Sequence, residues 1–264
     1  MATDKLAVQM FTVRGHTKTA AELADTLNKI SEIGYNSVQL SAVGAMQGEN
    51  PEVNATEAKR MLDDHGLSCI ATHRPWPALL NDTENEIEFH KELDCNYVAI
   101  GGIPGDMYNP TADGYRQFLR DAEKVISRLK KEGIQFGHHN HSHEFTKTSS
   151  QGPRLEDIII NEGGEDLMLE LDLYWIQNAG VNPERILERS RGRVPVIHLK
   201  DKEVIPEEGP VMAPIGEGNM DWQHIIPACE DAGVKWYAVE QDTCRRDPFD
   251  CLKSSYDFLR SFGL

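Results

Sequence analysis

No apolar run in this chain approaches the roughly 20 residues that a bilayer-spanning helix needs, so no membrane partner is expected. Cysteine is scarce and scattered. Cys69, Cys95, Cys229, Cys244 and Cys251 never form a Cys-x-x-Cys pair, which argues against a zinc ribbon or a disulfide framework and for reduced thiols. Positive charge is short as well: 27 Lys and Arg stand against 43 Asp and Glu, a formal net charge of -16. Such a surface repels a phosphate backbone, and no Lys/Arg cluster with interleaved aromatics offsets it, so nucleic acid is not an expected partner. The opening Met1-Ala2-Thr3-Asp4-Lys5 lacks a charged region followed by an apolar segment and a cleavage site, which makes the cytoplasm the expected compartment. No Pro/Ser-rich linker, low-complexity run or composition break divides the 264 residues, and residues 1–264 are expected to form a single barrel domain.

What is present is a regular alternation. Short apolar runs rich in β-branched residues alternate with longer segments whose apolar residues recur every three or four positions. Strands are expected at Leu6 to Phe11, Ser37 to Leu40, Leu67 to Ala71, Tyr97 to Ile100, around Ile134 to His139, and at Leu167 to Leu171, Val194 to Leu199 and Trp236 to Val239. Helices lie between them, the plainest carrying Tyr115, Phe118, Leu119, Ala122, Val125, Ile126 and Leu129 on one stripe. Eight strands each followed by a helix is the count for an α/β fold of the closed (β/α)8 TIM-barrel class. The competing doubly wound sheet usually carries a Gly-rich phosphate turn after its first strand, whereas this strand runs into Thr12-Val13-Arg14-Gly15-His16.

The ends of the later strands hold the chemistry. The fifth runs into His138-His139-Asn140-His141-Ser142-His143-Glu144, the sixth ends in Glu170-Leu171-Asp172, the seventh in His198-Leu199-Lys200-Asp201 and the eighth in Glu240-Gln241-Asp242. An acid after a strand often only caps the next helix. Three apolar strands that each end in a metal-competent side chain, Asp172, His198 and Glu240, are better explained by a shared site, because buried carboxylates are costly unless paired or coordinated. Mostly oxygen donors with one imidazole suit Mn, Mg or Co, with Zn also fitting. His73 after the third strand reads as a site residue, and Arg14 after the first as a cation for a substrate oxygen or phosphate. Glu170 shares a face with Asp172 and would support the ligands, while His138 and His143 alternate away. Trp76 and Trp175 fit packing and sugar stacking equally well.

Taken in order, Val8-Gln9-Met10-Phe11-Thr12-Val13-Arg14, His139-Asn140-His141, Glu170-Leu171-Asp172-Leu173-Tyr174-Trp175, His198-Leu199-Lys200-Asp201, Gly216-Glu217-Gly218 and Val239-Glu240-Gln241-Asp242 resemble the sugar phosphate isomerase/epimerase family of the xylose-isomerase-like barrel superfamily. The resemblance spans nearly the whole chain. It implies a divalent ion, manganese favoured, held by a carboxylate from strand five and by Asp172, His198 and Glu240. Ketose epimerases of the superfamily place a Glu within strand five, where this chain has His139. The nearest acid, Glu144, becomes the expected fourth ligand, folding back from the strand end, with a strand-five histidine as the alternative.

The resemblance implies a small-molecule sugar substrate, a ketose or keto-sugar with or without phosphate. Isomerisation or epimerisation would proceed through an enediolate, with Glu240 and His141 or His139 as proton carriers and with Lys200, Arg14 and His73 on substrate oxygens. The alternative is a lyase performing β-elimination on a 3-keto-sugar, 3-keto-glycoside or inosose. A non-catalytic sugar-binding barrel comes third. Barrels of this kind often form homo-oligomers, but no residue pattern here sets a state.

Overall fold

The computed structural model describes residues 5–264; Met1 to Asp4, read above for an export leader, lie outside them. Ten strands are present among the described residues: β1 (Leu6–Gln9), β2 (Ser37–Leu40), β3 (Ser68–His73), β4 (Tyr97–Ile100), β5 (Gln135–His139), β6 (Leu167–Asp172), β7 (Val196–Leu199), β8 (Asp201–Ile205), β9 (Gly209–Ala213) and β10 (Trp236–Val239). Eight of them close a barrel in the order β1-β10-β7-β6-β5-β4-β3-β2, every neighbour pair parallel. This is the (β/α)8 fold that the alternation implies. No described helix is long and apolar enough to cross a membrane.

Period-two alternation divides each strand between two cores. Leu6, Val8, Val38, Ile100, Phe136, Leu169, Ile197 and Val239 join the large cluster beneath the surrounding helices. Ala7, Ala71, Tyr97, Ala99, Met168, Val196 and Ala238 form a separate cluster within the barrel. Small residues are needed there: a Cβ on Gly137 would lie 2.0 Å from the Tyr97 hydroxyl, so the glycine lets that ring cross the interior. From two residues further along, the inward positions become polar, with Gln9, Gln39, His139, Glu170, Asp172 and His198 all buried.

The helical stripe predicted from Tyr115 to Leu129 is a helix over Ala112–Lys131, capped by Thr111 Oγ1 accepting from the Gly114 N–H at 3.1 Å. The first strand stops two residues short of Phe11. There the Gln9 side chain accepts from the Phe11 N–H at 3.2 Å and starts a 3-10 stretch over Met10–His16. The antiparallel hairpin β8–β9, paired from Asp201↔Ala213 to Ile205↔Gly209, is an addition that the count of eight did not include.

Candidate active site

At the carboxyl ends of the barrel strands a cavity of about 610 Å³ opens, with Phe11, Arg14, His73, His141, Lys200 and Asp242 among its walls. Its floor is built by Lys200, Glu240 and Asp242, which follow β7 and β10, and Asp172 and His198 lie directly against them. His198 Nδ1 lies 2.9 Å from Glu240 Oε2 and 3.9 Å from Asp172 Oδ2. Lys200, 1% exposed, reaches the same group: its Nζ is 3.0 Å from Asp172 Oδ2, 2.8 Å from Glu240 Oε2 and 2.9 Å from Asp242 Oδ1. The backbone fixes Asp172 at both ends. Its N–H donates to Asn140 Oδ1 at 3.0 Å, and its Oδ1 accepts from the Trp175 N–H at 3.0 Å, which caps the helix Leu173–Asn178.

Burial and charge separate the carboxylates. Burial pushes Asp172 up to about 6, against the pull of Lys200. Burial would raise Glu240 too, but Lys200 and His198 outweigh it and hold that carboxyl well below the usual range. The Lys200 ammonium meets the reverse balance, burial lowering it and Asp172, Glu240 and Asp242 raising it further. Burial, reinforced by neighbouring cations, lowers His139 far below an ordinary imidazole, and burial takes His141 down to about 4, so both rings are neutral near pH 7.

Behind the floor lies a second buried group. Glu170 Oε2 is hydrogen-bonded to His73 Nε2 and lies 3.4 Å from His198 Nε2 and 3.7 Å from His139 Nδ1. Glu170 Oε1 accepts from Gln39 Nε2 at 2.8 Å, and Gln39 Oε1 lies 2.8 Å from His198 Nε2.

Three atoms test whether a divalent ion fits. Asp172 Oδ2, His198 Nδ1 and Glu240 Oε2 are buried within 4.8 Å of one another, and the cation on the two oxygens is the Lys200 ammonium. Two carboxylate oxygens and an imidazole nitrogen converging in one buried place form a donor set that fits a divalent ion. His73, His139, Glu170 and His198 form an adjoining set of similar spacing.

The expected residues are therefore brought together unequally. Asp172, His198 and Glu240 converge, with Lys200 among them. His73 and His139 stand beside Glu170. His141 is half-buried, its ring 4.8 Å from that of His139 and 5.7 Å from that of Trp175. Arg14 sits exposed at the mouth, donating to the carbonyls of Phe11 at 2.7 Å and Asp242 at 3.0 Å.

Glu144 does not join the group. It folds back, as expected, but onto its own turn: Oε2 accepts from the His141 N–H at 2.8 Å and Oε1 lies 2.9 Å from His143 Nε2, in a capping box of the 3-10 turn Ser142–Phe145. Trp76 is a packing residue, buried against Phe118 and Phe136 with its Nε1–H donated to the Tyr108 hydroxyl at 3.0 Å. Gln39 was not singled out from the sequence. The available signal was an amide recurring at the same inward position of two adjoining strands, since Gln9 and Gln39 are in register.

Comparison with known proteins places the fold. An inosose dehydratase of Clostridium beijerinckii is 23% identical over 229 residues, 74% of each chain. Among solved structures, a sugar phosphate isomerase/epimerase from Parabacteroides distasonis superposes with a TM-score of 0.83 at 20% identity, covering 98% of this chain and 94% of its own. The IOLI protein, solved with a bound zinc atom, superposes with a TM-score of 0.70 at 15% identity over 97% of each chain. At these identities the structural likeness is one of fold. The model of the xylose isomerase-like TIM barrel family matches residues 27–262, and the chain belongs to that family.

Proposed function

We propose that the protein is a divalent-metal-dependent enzyme that removes the proton next to the carbonyl of a keto-sugar or inosose and then expels the β-oxygen. The observation that carries this reading is the pairing of two kinds of group at one cavity. Glu240 and Lys200 line it with Asp172 and His198 against them, and beside these stand His139 and His141, whose buried Nδ1 atoms have no hydrogen-bond partner. A divalent ion held by Asp172, His198 and Glu240 would supply Lewis-acid polarisation of substrate oxygens; manganese is the first ion to load, with zinc, cobalt and magnesium as alternatives.

The chain's own groups do the rest. A neutral imidazole, His141 or His139, takes the α-proton; the electron pair moves toward the carbonyl, returns to form the C=C bond, and the β-oxygen leaves with the proton that the imidazolium gives back. Lys200 and Arg14 would hold substrate oxygens, and His73 borders the same cavity. Elimination needs one group acting twice, whereas epimerisation needs a proton carrier on each face of the carbon. Strand β5 offers the cavity imidazoles and no carboxylate, because Glu144 is occupied on its own turn. The dehydratase relative supports the same choice.

Isomerisation or epimerisation is the second reading. It is favoured by Glu240, which lines the cavity together with His139 and His141 and could carry the second proton. Proton NMR in deuterated water, with metal-loaded protein and a panel of inososes, 3-keto-glycosides and ketoses, separates the two. A dehydrated or deglycosylated product without an epimer supports elimination; a deuterated epimer or isomer supports the second reading. Substrate binding with no exchange at any carbon, in protein shown to hold its ion, rejects both and leaves a sugar-binding barrel.

A further inference from the structure

We infer that Gln39 is a positioning residue that sets the tautomer of His198, so that Nδ1 rather than Nε2 is the nitrogen offered to a divalent ion. The inference rests on the metal reading above and adds a residue to it. Its starting point is Glu170, fully buried, whose Oε2 is taken up by His73 and whose Oε1 accepts from the Gln39 amide nitrogen at 2.8 Å. With its NH2 group turned to Glu170, Gln39 can present only its oxygen to His198, and that oxygen lies 2.8 Å from Nε2. An amide oxygen accepts and cannot donate, so Nε2 carries the hydrogen.

A neutral imidazole has one N–H, which leaves Nδ1 with a lone pair. That lone pair faces Glu240 Oε2 at 2.9 Å and Asp172 Oδ2 at 3.9 Å, the two oxygens that the Lys200 ammonium also meets at 2.8 Å and 3.0 Å. An imidazole lone pair beside two carboxylate oxygens is the donor set that a divalent ion would use there. The reversed amide would set its oxygen against the Glu170 carboxylate and its NH2 against His198. The backbone helps to aim the side chain: the β2–β3 register shifts between Val38 and Gln39, and irregularities of this kind redirect the residue that follows. Metal-ligating histidines in general are oriented by the partner of their other ring nitrogen; here that partner is an amide itself held by a buried acid.

The test is calorimetric titration of metal-free protein with manganese and zinc, comparing wild type, Gln39→Leu and Gln39→Glu. Leucine removes the acceptor and should weaken binding about 10–100-fold, the range for loss of a partner behind a metal-bound histidine. Protonated glutamate keeps an acceptor for His198 and a donor for Glu170 and should stay within about threefold of wild type. Wild-type protein labelled with ¹⁵N and loaded with a spin-active cadmium isotope gives a readout independent of any variant's folding: the metal–nitrogen coupling should appear at His198 Nδ1. Coupling at Nε2, or a folded Gln39→Leu protein that binds as wild type does, overturns the inference while leaving the metal reading intact. Wild-type protein that takes up no ion overturns the metal reading first, and this inference with it.

Discussion

Replacing Lys200 by methionine tests the electrostatics of the cavity floor. Methionine keeps much of the length and packing of the buried side chain but removes a charge that lies within 3.0 Å of Asp172 Oδ2, Glu240 Oε2 and Asp242 Oδ1. Removing one partner of a buried charge cluster typically costs about 3–5 kcal/mol, because the remaining charges stay desolvated and unopposed. Metal-free Lys200→Met protein should lose about that much unfolding free energy in urea, with chelator present. With a divalent ion between Asp172, His198 and Glu240 the loss should shrink, since two of the three acids regain a cation. The thermodynamic cycle then requires tighter metal binding by the variant, by about tenfold for every 1.4 kcal/mol of difference between the two losses. Paired urea melts and calorimetric titrations measure both arms. Equal losses with and without metal, together with unchanged affinity, would refute the idea that Lys200 and a metal compensate the same carboxylates.

Three further outcomes follow from named contacts. Glu144→Ala should leave metal stoichiometry and affinity unchanged while costing about 1 kcal/mol of stability, the usual loss of a cap; disappearance of a bound ion would return Glu144 to the ligand set. Asp201→Ala should cost at least about 3 kcal/mol, because five donors lose their acceptor: the N–H groups of Lys202, Gly216, Gly218 and Met220 and the indole of Trp222. Hydrogen exchange should rise across residues 209–222, and an unchanged melting temperature would contradict this.

His90 supplies a pH dependence. Burial lowers its pKa below 6.5, against the pull of its bond to the Glu86 carbonyl, so the unfolded chain takes up this proton before the folded one does. Its contribution is therefore full above 6.5 and is lost as pH falls from there toward the lowered folded value. Urea midpoints measured from pH 7 downward should fall, and His90→Gln should flatten that slope; an identical slope in the variant would remove His90 as its source.

Much of the barrel could be read from the chain because strand alternation is itself a packing signal. Ser37–Leu40, Tyr97–Ile100 and Trp236–Val239 have the limits expected of them, since each is a continuous apolar or half-apolar run closed by a turn. The hairpin β8–β9 carries no such signal. Its strands lie on the rim, half-exposed, with Val204 63% exposed, and the turn is made by Glu207 and Gly209 in positive-φ conformations amid charged residues that read as loop. Asp172, His198 and Glu240 were legible for the opposite reason, as polar groups at the ends of apolar strands.

Glu144 and Gln39 mark where sequence spacing stops informing. Spacing placed Glu144 near the rim but could not give its direction, which depends on a 3-10 turn that directs the carboxylate to its own backbone and to His143. Gln39 lies on the opposite side of the barrel from His198, and no linear pattern connects positions 159 residues apart. Only closure of the barrel lets an amide on β2 reach both an acid on β6 and an imidazole on β7. Candidate ligands can thus be read at strand ends, whereas a neighbour such as Gln39, which holds His198 and Glu170, looks on its own like ordinary strand interior. For this chain the consequence is specific: exchanging Gln39 should move metal affinity while every residue that would hold the ion stays in place.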